Sequence, residues 1–442
     1  MQLRQRRSSW LLIFGFFIIG YVVGEHGERI VSAVTDKNYE SLKLFSDVLY
    51  IIQKDYVEVP EVDQLVEGAI NGMLITLDPH SSYMSPDVYK EMQVETQGKF
   101  GGLGIEITVK DAILTVVAPI EDTPAYQAGI KAGDQIVKIE EAFTKNMTMF
   151  DAVKKLRGKE GTKVTLTIMR EGFTEPKDFT LTRATIQIKS VKSKMVDEKI
   201  GYIRITQFQE QTTKDFRKAL LELESKTPYL QGLILDLRNN PGGLLESAVD
   251  VSDEFIDSGL IVYTEGRPEG QRMEFKAKNN RPQHHHPMIV LVNAGSASGS
   301  EIVAGALQDY KLAVLLGTRT FGKGSVQTVI PLDNGGGLRL TTAKYFTPKG
   351  RSIHAKGIEP DVIVEDKTEP EETSSPKVKI MREKDLENFY RNGKLKEDAE
   401  DISKEIPEKN QGETADDPQL NRAIGILKSW EIFKGKDNSK PS

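Results

Sequence analysis

The sequence predicts a multidomain protein of mixed α/β and α+β class, and three observations carry that expectation. At 442 residues the chain exceeds one ordinary core, since a domain takes about 100–200 residues. Short alternating strands set in near residue 96, separated by glycine turns. From residue 187 longer apolar strands alternate with helical periodicities, the pattern of an α/β sheet. The expected order is an N-terminal membrane anchor (1–24), a helical region (25–95), a compact α+β module (96–186), an α/β core (187–365), and a polar linker with a C-terminal helix (366–442).

Composition narrows the function classes. Apolar residues make up 38% and charged residues 28%, as in an ordinary globular protein. A net charge of −6 lacks the basic footprint of a nucleic-acid binder, so no nucleic-acid partner is expected. The absence of cysteine removes thiol nucleophiles, disulfides and thiolate metal sites together. At the N-terminus, Arg4, Arg6 and Arg7 precede an apolar run from Trp10 to Val23. That pattern is an export signal, read here as an uncleaved anchor. The positive-inside rule keeps the arginines cytoplasmic and puts everything after Gly24 outside the cytoplasm, in a periplasm or at the cell exterior.

The elements follow in order. Leu42, Phe45, Leu49 and Ile52 recur at helical steps, as do Leu65, Ala69, Ile70 and Met73, with Asp63 as N-cap of the second helix and Asp78-Pro79 ending it. This arm offers a packing or homodimer surface. Gly101-Gly102-Leu103-Gly104 leads into a strand from Ile105 to Val109, and Ile113 to Val117 is the next. Helical stretches follow at Thr123-Pro124-Ala125 and from Phe150 to Leu156, and Val164 to Met169 reads as a strand. In the core, strands are expected at Ile200–Ile205, Leu233–Leu237, Met288–Val292, Leu312–Leu316, Val326–Pro331 and Leu338–Tyr345, with helices at 213–224, 244–256 and 298–309. After Val364 the chain turns polar, and Leu420 to Phe433 can form one late helix.

The sharpest chemical segment is the strand Val290-Leu291-Val292, followed by Asn293-Ala294-Gly295-Ser296-Ala297-Ser298-Gly299-Ser300-Glu301 and a helix. A serine at a strand-to-helix turn is lifted into the open, beside helix N-terminal amides that can stabilise an oxyanion. On these grounds Ser296, Ser298 and Ser300 remain equal candidates. A serine nucleophile needs a base. No histidine has an obvious triad context, and His284, His285 and His286, between Pro282 and Pro287, read as a polar loop whose adjacent positions cannot all face one metal ion. Lysine is the other base, and Phe321-Gly322-Lys323-Gly324-Ser325 sets one between glycines. To act at neutral pH, its pKa must fall from about 10.4 to about 7–8, which burial achieves. The same segment fails as a phosphate loop, because Gly324 stands where magnesium needs Ser or Thr, and a strand follows instead of a helix. A third element, Leu237-Arg238-Asn239-Asn240-Pro241-Gly242-Gly243, ends a buried strand in a turn with exposed amides.

Together these pieces resemble the carboxyl-terminal processing proteases, also called tail-specific proteases, over about residues 40–365. The Ser-Ala-Ser-Gly-Ser-Glu stretch, the Phe-Gly-Lys-Gly stretch 25 residues on, and the Leu-Arg-Asn-Asn-Pro-Gly-Gly turn occur in the family's order and spacing. The resemblance implies Ser298 as nucleophile, Lys323 as general base and Gln327 as the residue that orients the lysine. It implies an oxyanion hole at the backbone of Gly299 and of Gly242 or Gly243. Gly299 is a departure, since the family usually has Ala there; a backbone donor survives the change, but glycine loosens the helix start. Two checks qualify the site. Asp309 lies eleven residues after Ser298, about 16 Å along a helix, and is read as structural. Gln327 follows Lys323 by four, about 13 Å if extended, so the chain must turn near Gly324.

Residues 96–186 resemble a PDZ domain. Gly101, Gly102, Leu103, Gly104 and Ile105 match its peptide-binding loop, and Thr123 to Ile136 matches its Pro-Ala, Ala-Gly and Gly-Asp-x-Ile stretch. Backbone amides there would cradle a terminal carboxylate while the peptide adds as a strand. Arg157, closing the module's second helix, is a candidate regulator that reads tail occupancy. The implied partners are proteins or peptides with free apolar C-termini, and no metal or cofactor is implied. The alternative is a non-catalytic, membrane-tethered PDZ scaffold that binds C-terminal tails.

Overall fold

The computed structural model describes residues 36–110, 113–145, 147–227, 229–267, 271–278, 284, 286–365, 382–386 and 417–437. The expected anchor, Trp10 to Val23, lies outside them. Among the described residues no helix is long and apolar enough to cross a membrane. The chain divides into two compact units, Met1–Thr76 and Leu77–Ser442.

In the first unit are α1 (Asp36–Asp55) and α2 (Val62–Ile75). Glu61, not Asp63, is the N-cap of α2; Asp63 sits in the first turn, where a carboxylate favours the helix dipole. Leu42, Phe45, Val66 and Met73 are exposed.

The second unit opens with β1 (Ser82–Met84), α3 (Pro86–Gln97) and β2 (Lys99–Gly102). The α+β module then follows: β3 (Ile105–Lys110), β4 (Ile113–Pro119), α4 (Pro124–Gln127), β5 (Gln135–Ile139), β6 (Ala142–Phe143), α5 (Met149–Leu156), β7 (Lys163–Met169) and β8 (Lys177–Thr182). Its strands run in the order β3-β4-β5-β7-β8, so β3 is an open edge beside the glycine loop. Val116, Ile136, Ala152, Leu166 and Ile168 form its core. The strand β9 (Ala184–Gln187) returns to pair with β2.

The core continues through β10 (Val191–Asp197), β11 (Ile200–Ile205), α6 (Thr212–Ser225), β12 (Gly232–Asp236), α7 (Leu245–Ser252), β13 (Leu260–Gly266), β14 (Arg272–Lys276), β15 (Met288–Val292), α8 (Gly299–Asp309), β16 (Val314–Gly317), β17 (Ser325–Pro331), β18 (Gly337–Phe346), β19 (Val362–Ile363) and α9 (Pro418–Asp437). One six-stranded sheet runs β10-β11-β12-β15-β16-β19; only the β10–β11 pair is antiparallel. Strands β12 and β15 are buried along their whole length, as a sheet covered on both faces requires. Phe216, Leu220, Val251, Val303 and Leu307, from α6 to α8, pack one face. On the other face, α9 sets Ala423 and Leu427 against Ile234, Ile289 and Leu316. A second sheet, β1-β18-β13-β14 with β17 beside β18, flanks this layer. The expected helix at 244–256 stops at Ser252, where Asp253 takes the C-cap.

Candidate active site

The site follows from strand direction. Strands β12, β15 and β16 are parallel neighbours, so the loops that leave their C-terminal ends emerge together. Those loops carry Arg238–Gly243, Asn293–Ser298 and Thr318–Gly324.

Hydrogen bonds fasten the three loops. Ala297 N donates to Asn240 O (3.0 Å), and Phe321 N donates to Ser296 O (3.1 Å). The three serines left equal by their spacing now separate. Ser296 Oγ, fully buried, donates to Leu237 O at 2.8 Å, and Ser300 Oγ, also fully buried, donates to Asn240 O at 2.9 Å. Both hydroxyls are spent as loop staples. Ser298 is partly exposed, and its side chain pulls the Tyr345 hydroxyl's pKa down against the burial that raises it. It adopts φ 51°, ψ −111°, a conformation that costs a residue with a Cβ about 1–3 kcal/mol and is held by its surroundings.

Glu301 joins the serine loop to the lysine loop. Its Oε2 accepts from the backbone N–H of Ser298 and of Lys323, each at 2.9 Å, so those two nitrogens lie no further apart than twice that length. Its Oε1 accepts from Gly322 N at 2.8 Å and from Thr320 Oγ1. Burial pushes the Glu301 carboxyl up to about 7, against the downward pull of these four donors. The chain turns where the Lys323–Gln327 spacing requires it: Gly322 has φ 100° and Gly324 N donates back to Gly322 O. Tyr345 N bonds Gly324 O at 2.7 Å, which fixes the turn against β18.

Lys323 is partly buried, and burial lowers its pKa below the ordinary lysine range. Glu383, Asp78 and Glu301 push the other way and Arg339 adds to the lowering, but desolvation prevails. Glu383 belongs to the described piece of the tail. It is fully buried, meets His80 Nε2 at 2.7 Å, and its backbone N–H reaches Phe321 O. Gln327 donates through Nε2 to Thr341 Oγ1 (2.9 Å) and Ser325 Oγ (3.2 Å), while its buried Oε1 meets no donor among the described residues.

The two turn glycines differ. Gly242 N–H donates to Asn240 Oδ1 at 2.9 Å. Gly243 is exposed, and its N–H meets no acceptor among the described residues. A Cβ on Gly242 would fall 2.8 Å from the Ser298 Cβ, so only glycine lets this turn approach the serine. Gly299 opens α8, where an amide has no intrahelical acceptor. A Cβ there would lie 3.1 Å from a Phe208 ring carbon, so the glycine is closely packed. Asp309 binds Arg351 Nη2 (2.5 Å) and Lys349 N (2.9 Å), the structural role expected of it.

In the α+β module the fold uses the carbonyls of the glycine loop. Gly101 O accepts from Gly158 N, Leu103 O from Ala125 N, and Gly104 O from Ile120 N. The amides of Leu103 and Gly104 meet no acceptor among the described residues. Gly102 pairs across β2 and β9 with Ala184, and Ile105 starts the edge strand β3. Arg157 pairs with Glu91 of α3, and its guanidinium lies 4.4 Å from the centre of the Phe100 ring.

Sequence reasoning missed three residues of this site. Glu301 had a signal: a Glu three positions after a helix-starting Ser is a capping box. Tyr345 and Glu383 had none.

Comparison with known proteins matches residues 199–364 to peptidase family S41, 101–181 to the PDZ domain, and 25–88 to the activating protease CtpB N-terminal domain. The carboxy-terminal-processing protease of Bartonella bacilliformis is 43% identical over 419 residues, covering 93% of this chain and 95% of that protein. The carboxy-terminal processing protease CtpA of Bacillus subtilis is 42% identical over 315 residues, 71% of this chain and 67% of that one. Among solved structures, a photosystem II D1 C-terminal processing protease is 30% identical, with a TM-score of 0.43 over 73% of this chain and 92% of that one.

Proposed function

The chain belongs to peptidase family S41, the carboxy-terminal processing serine proteases with a PDZ domain, and from that premise we propose that it hydrolyses exported proteins near their C-termini with a Ser298–Lys323 dyad. The observation that carries this reading is the shared Glu301 oxygen, which holds the backbones of both residues at one point. The neutral Lys323 amine takes the proton of Ser298 Oγ as the oxygen attacks the scissile carbonyl. Amides of Gly299 and Gly243 receive the developing oxyanion. The lysine then protonates the leaving amine, and water releases the acyl group. The unpartnered Gln327 Oε1 is an acceptor suited to orient the lysine amine.

The substrate enters through its tail. The free amides of Leu103 and Gly104 suit a terminal carboxylate, and the β3 edge suits an added strand. Arg157 is the coupling residue in this reading, since it links the end of α5 to α3. The segment from Trp10 to Val23 anchors the chain, with the catalytic part outside the cytoplasm, and the exposed apolar residues of α1 suit a homodimer.

The test incubates the full-length chain with an unstructured protein ending in apolar residues. Wild type cuts it, whereas Ser298→Ala and Lys323→Ala bind it uncut. Amidating the substrate's C-terminus weakens binding. Equal cleavage by the variants rejects the dyad, and binding without cleavage by wild type leaves a tail-binding scaffold.

A further inference from the structure

A second cluster of chemistry lies at the opposite end of the parallel sheet. His284 and His286 sit just before β15. Both rings turn to Glu224, in the last turn of α6. His284 Nδ1 and His286 Nε2 each lie 2.7 Å from Glu224 Oε1, and the three atoms all fall within 4.8 Å of one another. We propose that Glu224, His284 and His286 bind one first-row divalent transition ion, zinc by fit, which clamps the entry to β15 onto α6.

The donor set selects the metal. Two imidazoles and one carboxylate suit zinc with a fourth position open, whereas magnesium and calcium favour oxygen shells. Metal–ligand lengths of about 2.0–2.2 Å in a tetrahedron set the ligand atoms roughly 3.3 Å apart. A chelate therefore needs side-chain rotations that open the two 2.7 Å contacts by roughly 0.6 Å and bring the edge between the two imidazole nitrogens, within 4.8 Å, to the same length.

The cluster is also partly preformed. The His284 side chain is only 9% exposed and meets the Phe255 ring edge-on at 6.3 Å. Both histidines line an open cavity of about 750 Å³ that also touches Lys311, Asp361 and Trp430. It gives an ion a path in and room for a water as fourth ligand. The whole of β15, about 16 Å of strand, separates this cluster from the serine loop, so the ion would take no part in peptide hydrolysis.

The experiment uses the full-length chain without a histidine tag. Zinc alone is titrated against a chromophoric chelator, and melting is followed with zinc or with EDTA. The expected result is one ion per chain and a higher Tm with zinc, with no such effect from magnesium. His284→Ala, His286→Ala and Glu224→Gln should each weaken binding by at least about tenfold, since even outer-shell losses cost that much. Glu222→Gln, an exposed neighbour on α6, should bind as wild type does. Melting in EDTA verifies that the variants fold, and the isosteric Glu224→Gln decides the matter if an alanine variant does not. Failure of wild type to bind zinc stoichiometrically, or undiminished binding by Glu224→Gln, overturns the site.

Discussion

Replacing Glu301 with Gln isolates the tether between the serine and lysine loops. The carboxylate accepts four hydrogen bonds, two on each oxygen. A glutamine has one oxygen. Its least costly orientation keeps that oxygen on Ser298 N and Lys323 N and turns the amide group to Thr320, whose hydroxyl can rotate to accept. The Gly322 N–H is then orphaned in a buried place, which costs about 1–3 kcal/mol. If that strain falls on the alignment of the two reacting side chains, kcat/KM drops by about 5-fold to about 150-fold. A second effect has its own signature. Above its own pKa of about 7, the Glu301 charge raises the Lys323 pKa, so removing it lowers that pKa further in that range. A general base must be neutral, so activity rises with pH through the lysine's pKa. Glu301→Gln should therefore lower the plateau and move the rising limb to lower pH. The assay is kcat/KM against pH on an unstructured apolar tail, with tail affinity measured separately. A wild-type plateau, or a higher KM at unchanged kcat, would refute the reasoning.

Four further outcomes follow. Glu383→Gln keeps a hydrogen bond to His80 but removes a charge that raises the Lys323 pKa, so the rising limb should move to lower pH; an unmoved midpoint rejects the coupling. Tyr345→Phe removes the hydroxyl that interacts with Ser298; if that interaction acts in the reaction as a net hydrogen bond of about 0.5–1.5 kcal/mol, kcat/KM should fall about 2- to 13-fold at unchanged tail affinity. Leu427→Ala empties a buried position between α9 and the sheet and should cost about 2–5 kcal/mol in denaturant unfolding; a loss under about 1 would mean α9 is not docked there. Arg157→Ala removes the Glu91 pair and the Phe100 contact, and should abolish activation by added tail peptide at unchanged peptide affinity; retained activation ends its regulatory role.

What could be read from sequence tracks where apolar residues had to be buried. Strands β11 and β15 are covered on both faces, so their apolar runs end where the strands end. Strands β10 and β14 were invisible because they are sheet edges: Lys192 and Lys194 alternate along the first, and Arg272, Glu274 and Lys276 along the second. Charged edges resist unwanted pairing, and that same trait hides the strand from a hydrophobic pattern. In contrast, Leu260 to Tyr263 of β13 form an apolar run that a hydrophobic pattern can read. The motifs located the site to within a loop, but no spacing could separate Ser296, Ser298 and Ser300. Their difference lies in which hydroxyls meet the carbonyls of Leu237 and Asn240, and those arrive from another strand.

The polar tail was the least legible part, because a carboxylate in a charged run looks like solvated chain whether or not it docks. At least three tail residues, Asp417, Gln419 and Glu383, reach the loops that carry the site. Asp417 pairs with the guanidinium of Arg238, in the turn that ends at Gly243, and Glu383 lies close enough to Lys323 to affect its charge. Their electrostatic effects differ. Arg238 is buried yet held charged, because Asp236 and Asp417 together outweigh its desolvation. Lys323 feels Glu383, Asp78 and Glu301, but Arg339 opposes them, and desolvation prevails. A buried cation with paired carboxylates stays charged, while one with weaker opposition has its pKa lowered, as the proposed base requires. The polar tail thus acts on both groups: one of its carboxylates pins the turn that ends at Gly243, and the other raises the Lys323 pKa against desolvation.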